Sequence, residues 1–303
     1  MHNTILIAGG SGLIGTRLMQ YLPDNYQFHV LSRSKRKSTD CIKYFTWDTG
    51  TRTMDMAAWE NVSVVINMAG AGIADKRWTK SRKAELLSSR IDSVLTLKEA
   101  MASLDKLPLY VGASAIGYYG HQGDRVQTEE NDAGTGFLAE VTAQWEDAHQ
   151  QIFPHFDREV LLRIGIVLSK HGGALKEMLK PATFGVYGYF GNGSAYYSWV
   201  HIDDICQIIL KCMEDATYQG IYNATAPQPI TIKTLVQAMK KAKGGFGLTA
   251  PVPAIALKLV LGEMTQMLTD SMRVEPTRLN HEGYPFLYTD PKVAIKDILD
   301  RNI

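Results

Sequence analysis

The sequence contains little cysteine, no long apolar run and no excess of charge of either sign. Its 3 cysteines in 303 residues are too few and too scattered for a disulfide framework or a zinc site, so we expect no metal centre. No apolar run approaches the roughly 20 residues that a membrane-spanning helix needs. Lys and Arg number 32 against 31 Asp and Glu, and the net charge of +1 predicts neither a nucleic-acid-binding nor a membrane-binding surface.

The first residues contain no basic region followed by an apolar segment, so they do not have the pattern of a secretory signal. We therefore expect a cytoplasmic protein whose partner is a small-molecule substrate, and a homo-oligomer is left open. A chain of 303 residues is long enough for one large α/β domain with an appended lobe.

A glycine-rich turn follows the first apolar run. The turn contains Gly9, Gly12 and Gly15 with Leu13 and Ile14 between the last two, and a helix-like segment follows at residues 16–19. Gly9 allows a tight turn out of the strand, Gly12 lets the backbone approach a pyrophosphate, and Gly15 lets the helix pack close to the sheet. The unpaired N–H groups and the positive dipole end of that helix favour phosphates. We therefore predict a dinucleotide site that includes all five residues.

Short apolar runs alternate along the chain with longer amphipathic stretches. We predict strands at 5–8, 28–31, 62–67, 109–113 and 159–164, and helices at 79–103 and 137–152. This alternation is typical of an α/β fold, here a Rossmann-like doubly wound parallel sheet with a smaller C-terminal lobe. Residues 1–168 should form the NAD(P)-binding domain, with a late strand and helix near 197–213 rejoining it. Residues 169–303 should form the lobe that shapes the substrate pocket.

The late helix has a start signal of its own. Asp203 stands directly before an apolar stripe of helical period, and its carboxylate can accept the first free N–H groups, so we predict Asp203 as the N-cap. His201 has no nucleophile nearby in the sequence to activate, and we assign it a structural role.

The end of the second predicted strand indicates which dinucleotide binds. A protein that selects NAD usually has Asp or Glu there, which binds the ribose 2′-hydroxyl. This chain has Ser32 and Arg33 instead, and the arginine can bind a 2′-phosphate in a fork while the serine donates beside it. The basic residues at 35–37 can equally form a solvated loop. We predict NADP(H) as the cofactor.

The third predicted strand runs into a tight turn, Asn67-Met68-Ala69-Gly70. Ligands of a doubly wound sheet lie beyond the carboxyl ends of its strands, so Met68 and Ala69 are predicted to lie against the cofactor. Asn67 can face the ligand or satisfy the backbone of the turn, and both interpretations stay open.

Several motifs follow one another in an order that resembles the extended short-chain dehydrogenase/reductase superfamily, at residues 9–15, 67–70, 114–120, 163–168 and 199–204. More narrowly, the chain resembles the atypical "epimerase family" branch, through Arg77-Trp78, Trp145-Glu146, a tail at 273–279 and Gly283-Tyr284. The resemblance covers nearly the whole chain. It implies a Rossmann-like NADP-binding domain with a small C-terminal domain.

The resemblance also implies site residues. Glu85, Arg90 and Val167 match positions near bound NADP in the family, and Arg90 stands where many extended members have Asn. The alternative for Glu85 and Arg90 is a solvated helix face, and for Val167 it is ordinary core.

In the superfamily a Ser orients the substrate, and the Tyr of a Tyr-x-x-x-Lys pair transfers a proton. Ser114 matches that Ser, but the Tyr-x-x-x-Lys pair is missing. The predicted helix at 137–152, where the pair belongs, begins Phe137-Leu138-Ala139-Glu140-Val141-Thr142. Tyr118 and Tyr119 follow Ser114 closely and are candidates for the missing acid. The alternative is that the two tyrosines only form a wall of the nicotinamide pocket.

Two hypotheses of function remain. The first is an NADP(H)-binding oxidoreductase or epimerase-like enzyme that acts on a small hydroxyl- or carbonyl-bearing substrate without the usual Tyr-x-x-x-Lys pair. The second is a non-catalytic NADP(H)-binding regulator or redox sensor. Ser114 and the adjacent Tyr118 and Tyr119 favour the enzyme, whereas the absence of the Tyr-x-x-x-Lys pair favours the sensor.

Overall fold

A computed structural model of the chain describes residues 3–253, 258–259 and 261–301. The strands are β1 (Asn3–Ala8), β2 (Tyr26–Ser32), β3 (Ile42–Asp48), β4 (Thr53–Met54), β5 (Val62–Asn67), β6 (Leu107–Ala115), β7 (Val126–Gln127), β8 (Phe156–Ile164), β9 (Ile166–Leu168), β10 (Val186–Phe190), β11 (Tyr196–Tyr197), β12 (Trp199–His201), β13 (Gly220–Ala224), β14 (Ile230–Thr231), β15 (Leu248–Val252) and β16 (Arg273–Val274). The α-helices are α1 (Leu13–Tyr21), α2 (Lys80–Ala100), α3 (Phe137–Gln150), α4 (Gly173–Ala182), α5 (Ile202–Glu214), α6 (Ile232–Ala242), α7 (Gln266–Thr269), α8 (Thr277–His281) and α9 (Pro291–Asp300).

The main sheet has eight strands in the order β13-β8-β6-β5-β1-β2-β3-β4. All neighbours pair in parallel except β3 and β4, which are antiparallel. The chain moves outward from β1 to β3 in one direction and then from β5 to β13 in the other, so the strand order reverses between β1 and β5. Ligands of such sheets bind at this reversal, beyond the carboxyl ends of the strands. The predicted α/β fold with a Rossmann-like doubly wound sheet is confirmed.

Helices cover both faces of the sheet because alternate residues of each strand point to opposite sides. Ile5 and Ile7 of β1 lie in the core formed with α1 and α5, whereas Leu6 and Ala8 lie in the core formed with α2 and α3. Strands buried on both faces are nearly continuous apolar runs, and this is why the sequence predicted them well. No helix in the described ranges is both long and apolar enough to cross a membrane, and those ranges contain no group of three or more His, Cys, Asp and Glu that could hold a metal ion.

Small two-stranded sheets lie outside the main sheet, among them β9 with β12, β10 with β15 and β11 with β14. The late strand that we expected to rejoin the main sheet is β12, and it pairs with β9 instead. The pairing changes at Gly165, whose N–H donates to the Ala224 carbonyl of β13 at 3.1 Å, whereas the next N–H, of Ile166, donates to the Ser198 carbonyl at 2.9 Å. Of the late segment, α5 does pack against α1, and β13 is the later strand that joins the sheet.

The start of α5 differs from the prediction. The N-cap is His201, whose Nδ1 accepts a hydrogen bond from the Asp203 N–H at 3.0 Å. Asp203 lies in the first turn, where its carboxylate contacts Arg17 of α1 at 2.7 Å and Arg301 at 2.5 Å. Two arginines from other elements therefore hold the carboxylate that we expected to cap the helix, and the N-cap assignment was wrong. The structural role predicted for His201 is confirmed.

Candidate cofactor and active site

The glycine turn lies directly against the end of β5. Gly9 has a φ of +85°, and a Cβ on it would lie 2.6 Å from the Met68 carbonyl carbon and oxygen. The Met68 N–H donates to the Ala8 carbonyl at 2.9 Å, so the two strand ends are held together. Only glycine fits such a conformation at such a distance. Gly9 therefore allows Met68 and Ala69 to lie beside the turn.

Gly12 and Gly15 differ in what a side chain would meet. Gly12 is exposed with an ordinary φ of −76°, and a Cβ there would approach only the Gly9 carbonyl oxygen, at 3.2 Å. A Cβ on Gly15 would lie 2.6 Å from both the Gly10 Cα and the Gly9 oxygen. Gly15 therefore serves packing, while Gly12 leaves open space in front of the helix.

The N-terminus of α1 has the properties that a pyrophosphate requires. It has no side-chain cap, and no acidic residue lies in its first turn. The first N–H groups of a helix have no partner within it, and their partial charge is positive. The open space at Gly12 and these N–H groups together fit the phosphates of a dinucleotide.

Apolar side chains from three segments meet beside this turn. Leu13, Ile14, Met68 and Val167 are all partly buried against the same core cluster. The loop before α4 comes close as well, because a Cβ on Gly172 would lie 3.3 Å from Leu13. The loop before α4 therefore reaches the glycine turn, and the four residues pack against one core cluster.

Arg33 is exposed directly beyond the end of β2, beside Ser32. It forms no ion pair with a carboxylate among the described residues. Arg33 is close enough to affect the Glu85 carboxyl. The hydrogen bond from Arg82, followed by the charges of Arg82, Lys76 and Arg33, lowers the pKa of that carboxyl. The Arg33 guanidinium is thus available for an anion at the end of β2.

Two further cations, Arg82 and Arg90, lie on α2. Arg82 is buried and donates to Glu85 at 2.7 Å and to the Gly72 carbonyl at 2.5 Å. Arg90 donates to the carbonyls of Leu86 and Ala71, at 2.8 and 3.2 Å. Burial, and then the charge of Arg82, lower the pKa of Arg90 to about 10. Arg90 stays a cation at neutral pH, and it has no carboxylate partner in the described part of the chain.

Ser114 belongs to a buried polar network at the ends of β6 and β8. Its hydroxyl donates to Glu146 at 2.5 Å, and Arg163 binds both oxygens of Glu146 at 2.9 Å. Arg163 also donates to the Tyr119 hydroxyl at 2.9 Å, which donates in turn to Asn223 at 2.7 Å. Burial lowers the pKa of Arg163, but Glu146 outweighs it and raises the pKa above its ordinary value. Each charge in the network is therefore compensated.

The sequence prediction missed Glu146, Arg163 and Asn223 as members of this site. A signal was present, because Arg163 interrupts the apolar strand at 159–164. A charge buried in a sheet needs a partner. The sequence pattern does not say which carboxylate supplies it.

The two candidate tyrosines have different environments. Tyr119 is fully buried, and burial raises the pKa of its hydroxyl to about 12, although Arg163 acts against this. Tyr118 is half-buried, and the guanidinium carbon of Arg163 lies 3.5 Å from its ring centroid. The Tyr118 hydroxyl has no hydrogen-bond partner among the described residues. Of these two candidates, Tyr118 is therefore the one whose hydroxyl is free to meet another molecule.

Asn67 has a structural role within the turn after β5. Its side-chain oxygen accepts from the Ala69 N–H at 3.1 Å, and its amide group donates to Ser93 at 3.2 Å. Both ends of the amide are therefore used inside the protein. Of the two interpretations left open by the sequence, the structure supports satisfaction of the turn backbone.

Two open clefts are lined mainly by residues 190–271. One, of about 550 Å³, is lined by the loop after Tyr119 and by Phe190, Tyr196 and Thr269. The other, of about 470 Å³, also contains Thr269, and Arg77 lines its far side. The clefts therefore adjoin each other along the segment that precedes β16.

Comparison with known proteins gives consistent matches. Residues 5–142 match the NAD dependent epimerase/dehydratase family, and residues 252–298 match a domain of unknown function, DUF1731. An epimerase family protein of Staphylococcus aureus is 34% identical over 309 residues, which cover 98% of this chain and 99% of the relative. One from Staphylococcus haemolyticus is 33% identical over 303 residues, covering 97% of this chain and 98% of the relative.

Solved structures share the fold. The human epimerase family protein SDR39U1, solved with NADPH, matches with a TM-score of 0.88 and 26% identity, covering 99% of this chain and 100% of that one. A nucleoside-diphosphate sugar epimerase from Corynebacterium glutamicum matches with a TM-score of 0.78 and 28% identity, covering 99% of this chain and 58% of that one.

Proposed function

Since this chain belongs to the epimerase family of proteins, we propose that it is an NADP(H)-dependent oxidoreductase or epimerase-like enzyme acting on a small hydroxyl- or carbonyl-bearing substrate. The observation that carries the proposal is the open helix N-terminus at Gly12, with the unpaired Arg33 at the end of the neighbouring strand. The first fits a pyrophosphate and the second a 2′-phosphate. The NADPH in the human relative's structure supports this choice of cofactor.

The residues proposed to bind the cofactor surround the carboxyl ends of β1, β2, β5 and β9. The open space at Gly12 and the first N–H groups of α1 would hold the pyrophosphate, and Gly15 lets the helix pack close to the turn. The residues after β2 would hold the 2′-phosphate, and the remainder the adenine or nicotinamide halves. The full set is Gly9, Gly12, Leu13, Ile14, Gly15, Ser32, Arg33, Met68, Ala69, Glu85, Arg90 and Val167.

Arg33→Ala is expected to weaken NADP(H) binding and to leave NAD(H) binding nearly unchanged. A charge-assisted hydrogen bond contributes about 1.5–3 kcal/mol, so the dissociation constant for NADPH should rise roughly ten- to a hundredfold. Titration calorimetry with both cofactors measures this. Arg36→Ala is the matched control, because Arg36 lies in the same loop beside Tyr44. Equal affinity of the unaltered protein for NADPH and NADH would refute the choice of NADP(H).

The proposed chemistry places proton transfer on Tyr118. When bound, NADPH supplies the hydride that a carbonyl carbon accepts. The Tyr118 hydroxyl is free, and it would donate its proton to the carbonyl oxygen of the substrate. Ser114 is buried and donates its own proton to Glu146, so its remaining lone pairs can only accept a hydrogen bond. The C-terminal lobe, with the clefts at Thr269, would shape the substrate pocket.

Tyr118→Phe should reduce NADPH-dependent turnover at least tenfold with little change in NADPH affinity, since general acid catalysis contributes roughly 10²–10⁴-fold. Ser114→Ala should lower turnover as well. A screen of carbonyl and sugar-nucleotide substrates, followed by NADPH absorbance, finds the reaction, and kinetics of both variants test the assignment. Full activity in both variants would exclude this site.

A second candidate function is a non-catalytic NADP(H)-binding sensor. The observation in its favour is that the Ser114 and Tyr119 hydroxyls are both engaged in a buried network, while the Tyr-x-x-x-Lys pair is absent. The same screen separates the two functions. NADPH binding without turnover of any substrate would favour the sensor.

A further inference from the structure

Two phenylalanines lie almost fully in solvent at one end of the small sheet of β10 and β15. Phe184 is 86% exposed and Phe246 is 91% exposed. Val186 and Leu248, which pair across the two strands, are exposed as well. Single exposed apolar side chains are common on protein surfaces, whereas a cluster of them marks an interaction site. We call these four residues the apolar tip.

Backbone hydrogen bonds hold the two phenylalanines at the same end of the sheet. The Leu248 N–H, two residues after Phe246, donates to the Gly185 carbonyl at 2.8 Å, and this bond fixes the two segments side by side. The Phe184 N–H donates to the Pro181 carbonyl at 3.0 Å, in the last turn of α4. The exposed side chains of the apolar tip are therefore carried by an ordered backbone.

The segments that form this end of the sheet contain no acidic residue. Residues 178–202 and 216–262 include α6, β10 and β15, and they contain six lysines and neither Asp nor Glu. The lysines are Lys180, Lys233, Lys240, Lys241, Lys243 and Lys258. The net charge of +1 is therefore an average over a basic region and an acidic remainder. Because it is an average, it gave no indication of a local surface that could bind a membrane.

Three of these lysines, in residues 240–243, come directly before the apolar tip at the end of α6. The Gly245 N–H donates to the carbonyl of the first of them at 2.8 Å, so the chain passes straight from the helix end to Phe246. The macrodipole favours lysine at any helix C-terminus, but it gives no reason for an exposed phenylalanine beside it. The combination of cations and apolar side chains therefore needs another explanation.

The neighbouring carboxylates do not compensate this charge. The three lysines in residues 240–243 form no ion pair with a carboxylate in the described part of the chain. Glu177, the acidic residue of α4, is paired with Lys180 at 2.5 Å. The helix α9, which packs against α6, carries two lysines and two aspartates and so adds no net charge. The apolar tip is therefore bordered by uncompensated positive charge.

The shape and charge of the apolar tip fit a lipid surface better than a protein partner. A protein that covered the tip would need a cavity complementary to each phenylalanine. The headgroup region of a bilayer instead takes up protruding side chains without such a match, and anionic headgroups attract lysines. A Cβ on Gly244 or Gly245 would meet no atom within 4 Å, so the segment before Phe246 is open to its surroundings.

We propose that the apolar tip docks on a bilayer surface that contains anionic lipids. Phe184 and Phe246 enter the boundary between headgroups and acyl chains, and the three lysines in residues 240–243 contact the lipid phosphates. The contact is peripheral and involves no crossing of the bilayer. No residue of the tip belongs to the proposed cofactor site, so this inference does not depend on the proposed function.

Sedimentation with extruded vesicles tests the phenylalanines. The unaltered protein should pellet with vesicles of phosphatidylcholine and phosphatidylglycerol in equal parts, and it should stay in the supernatant with phosphatidylcholine alone. The double variant Phe184→Ser with Phe246→Ser should lower the partition coefficient roughly tenfold or more, because it removes apolar area that the bilayer would bury. The matched control, Met56→Ser with Leu287→Ser, replaces two exposed apolar residues elsewhere and should bind as the unaltered protein does.

A second variant tests the charge. The triple replacement Lys240→Gln, Lys241→Gln and Lys243→Gln should lower the partition coefficient roughly a hundredfold, or about fivefold for each lysine. Sodium chloride should weaken the binding of the unaltered protein more than that of this variant, because salt screens charges at a surface. All these replacements lie at the surface, so each variant should melt within about 3 °C of the unaltered protein.

The proposal is overturned if the unaltered protein does not pellet with the mixed vesicles, or if it binds both kinds of vesicle equally. Unchanged binding by the phenylalanine variant or by the lysine variant would also overturn it. Sedimentation velocity without lipid examines a competing occupant, a second copy of this chain. A dimer that forms with the unaltered protein and not with the phenylalanine variant would assign the apolar tip to that copy and overturn the lipid contact, whereas a monomer in both cases supports it.

Discussion

Replacing Gly12 with valine should abolish the stabilisation that NADPH gives the native protein and leave the fold intact. The φ of −76° at Gly12 is open to any residue, and a Cβ there approaches only the Gly9 carbonyl, at 3.2 Å. The valine methyl groups would instead occupy the open space in front of α1, where the pyrophosphate is proposed to lie. A ligand at 100 times its dissociation constant contributes about 2.7 kcal/mol to stability, and the variant should lose that amount.

The measurement is urea unfolding with and without NADPH, on the unaltered protein and on two glycine variants. Gly15→Ala is the matched control, because its Cβ would lie 2.6 Å from Gly10 and Gly9 backbone atoms. Such overpacking costs about 1–3 kcal/mol, so this variant should be less stable even without ligand. If Gly12→Val keeps the NADPH stabilisation, the pyrophosphate does not lie at this turn.

Arg163→Met should destabilise the protein by about 3–5 kcal/mol, a large part of the roughly 5–15 kcal/mol that holds a typical protein folded. The variant leaves the Glu146 carboxylate buried without its cation, and Tyr119 loses the donor to its hydroxyl. Glu146→Gln should have an effect of the same sign, because it leaves Arg163 without a counter-charge. The free energy of unfolding from urea titration, followed by circular dichroism, measures both effects.

Two further variants sharpen this test. Arg52→Met breaks an exposed pair with Glu99 and should cost less than about 1 kcal/mol. The double variant Glu146→Gln with Arg163→Met should be less destabilised than the sum of its parts, because it leaves no uncompensated charge in the core. A loss below about 1 kcal/mol for Arg163→Met alone would contradict the assignment of a tightly coupled buried pair.

Much of the fold could be predicted from local patterns. The strand Val62–Asn67 was predicted at its observed bounds, and the strands at 28–31 and 109–113 were predicted within two residues at each end. These runs are readable because both faces of the sheet are buried, so the side chains are apolar at nearly every position. The N-cap of α5 could not be predicted from the sequence, because Asp203 is chemically suited to capping a helix. Its carboxylate instead binds Arg17 and Arg301, which are distant in sequence.

The candidate site likewise has one part that the sequence predicts and one part that it does not. The glycine turn could be predicted because its residues are consecutive, and the sequence names the strand before it and the helix after it. The Ser114–Glu146–Arg163 network could not, because its members come from β6, α3 and β8 and meet only when these elements pack. The difference between Tyr118 and Tyr119 was equally hidden, since adjacent residues of one type carry no signal about which one faces inward.

By itself, the sequence determined the alternation of strands and helices, the glycine turn and the absence of both an acidic residue after β2 and a Tyr-x-x-x-Lys pair. These are local properties, set by the size, polarity and conformational freedom of residues close together in the chain. The tertiary structure alone decided that Gly12 faces open space while Gly15 is packed, and that Tyr119 is buried while the Tyr118 hydroxyl has no partner in the described ranges. It also decided that Arg163 has a carboxylate partner, whereas Arg90 has none among the same described residues. Burial and charge compensation depend on which distant segments meet, and local sequence does not specify that.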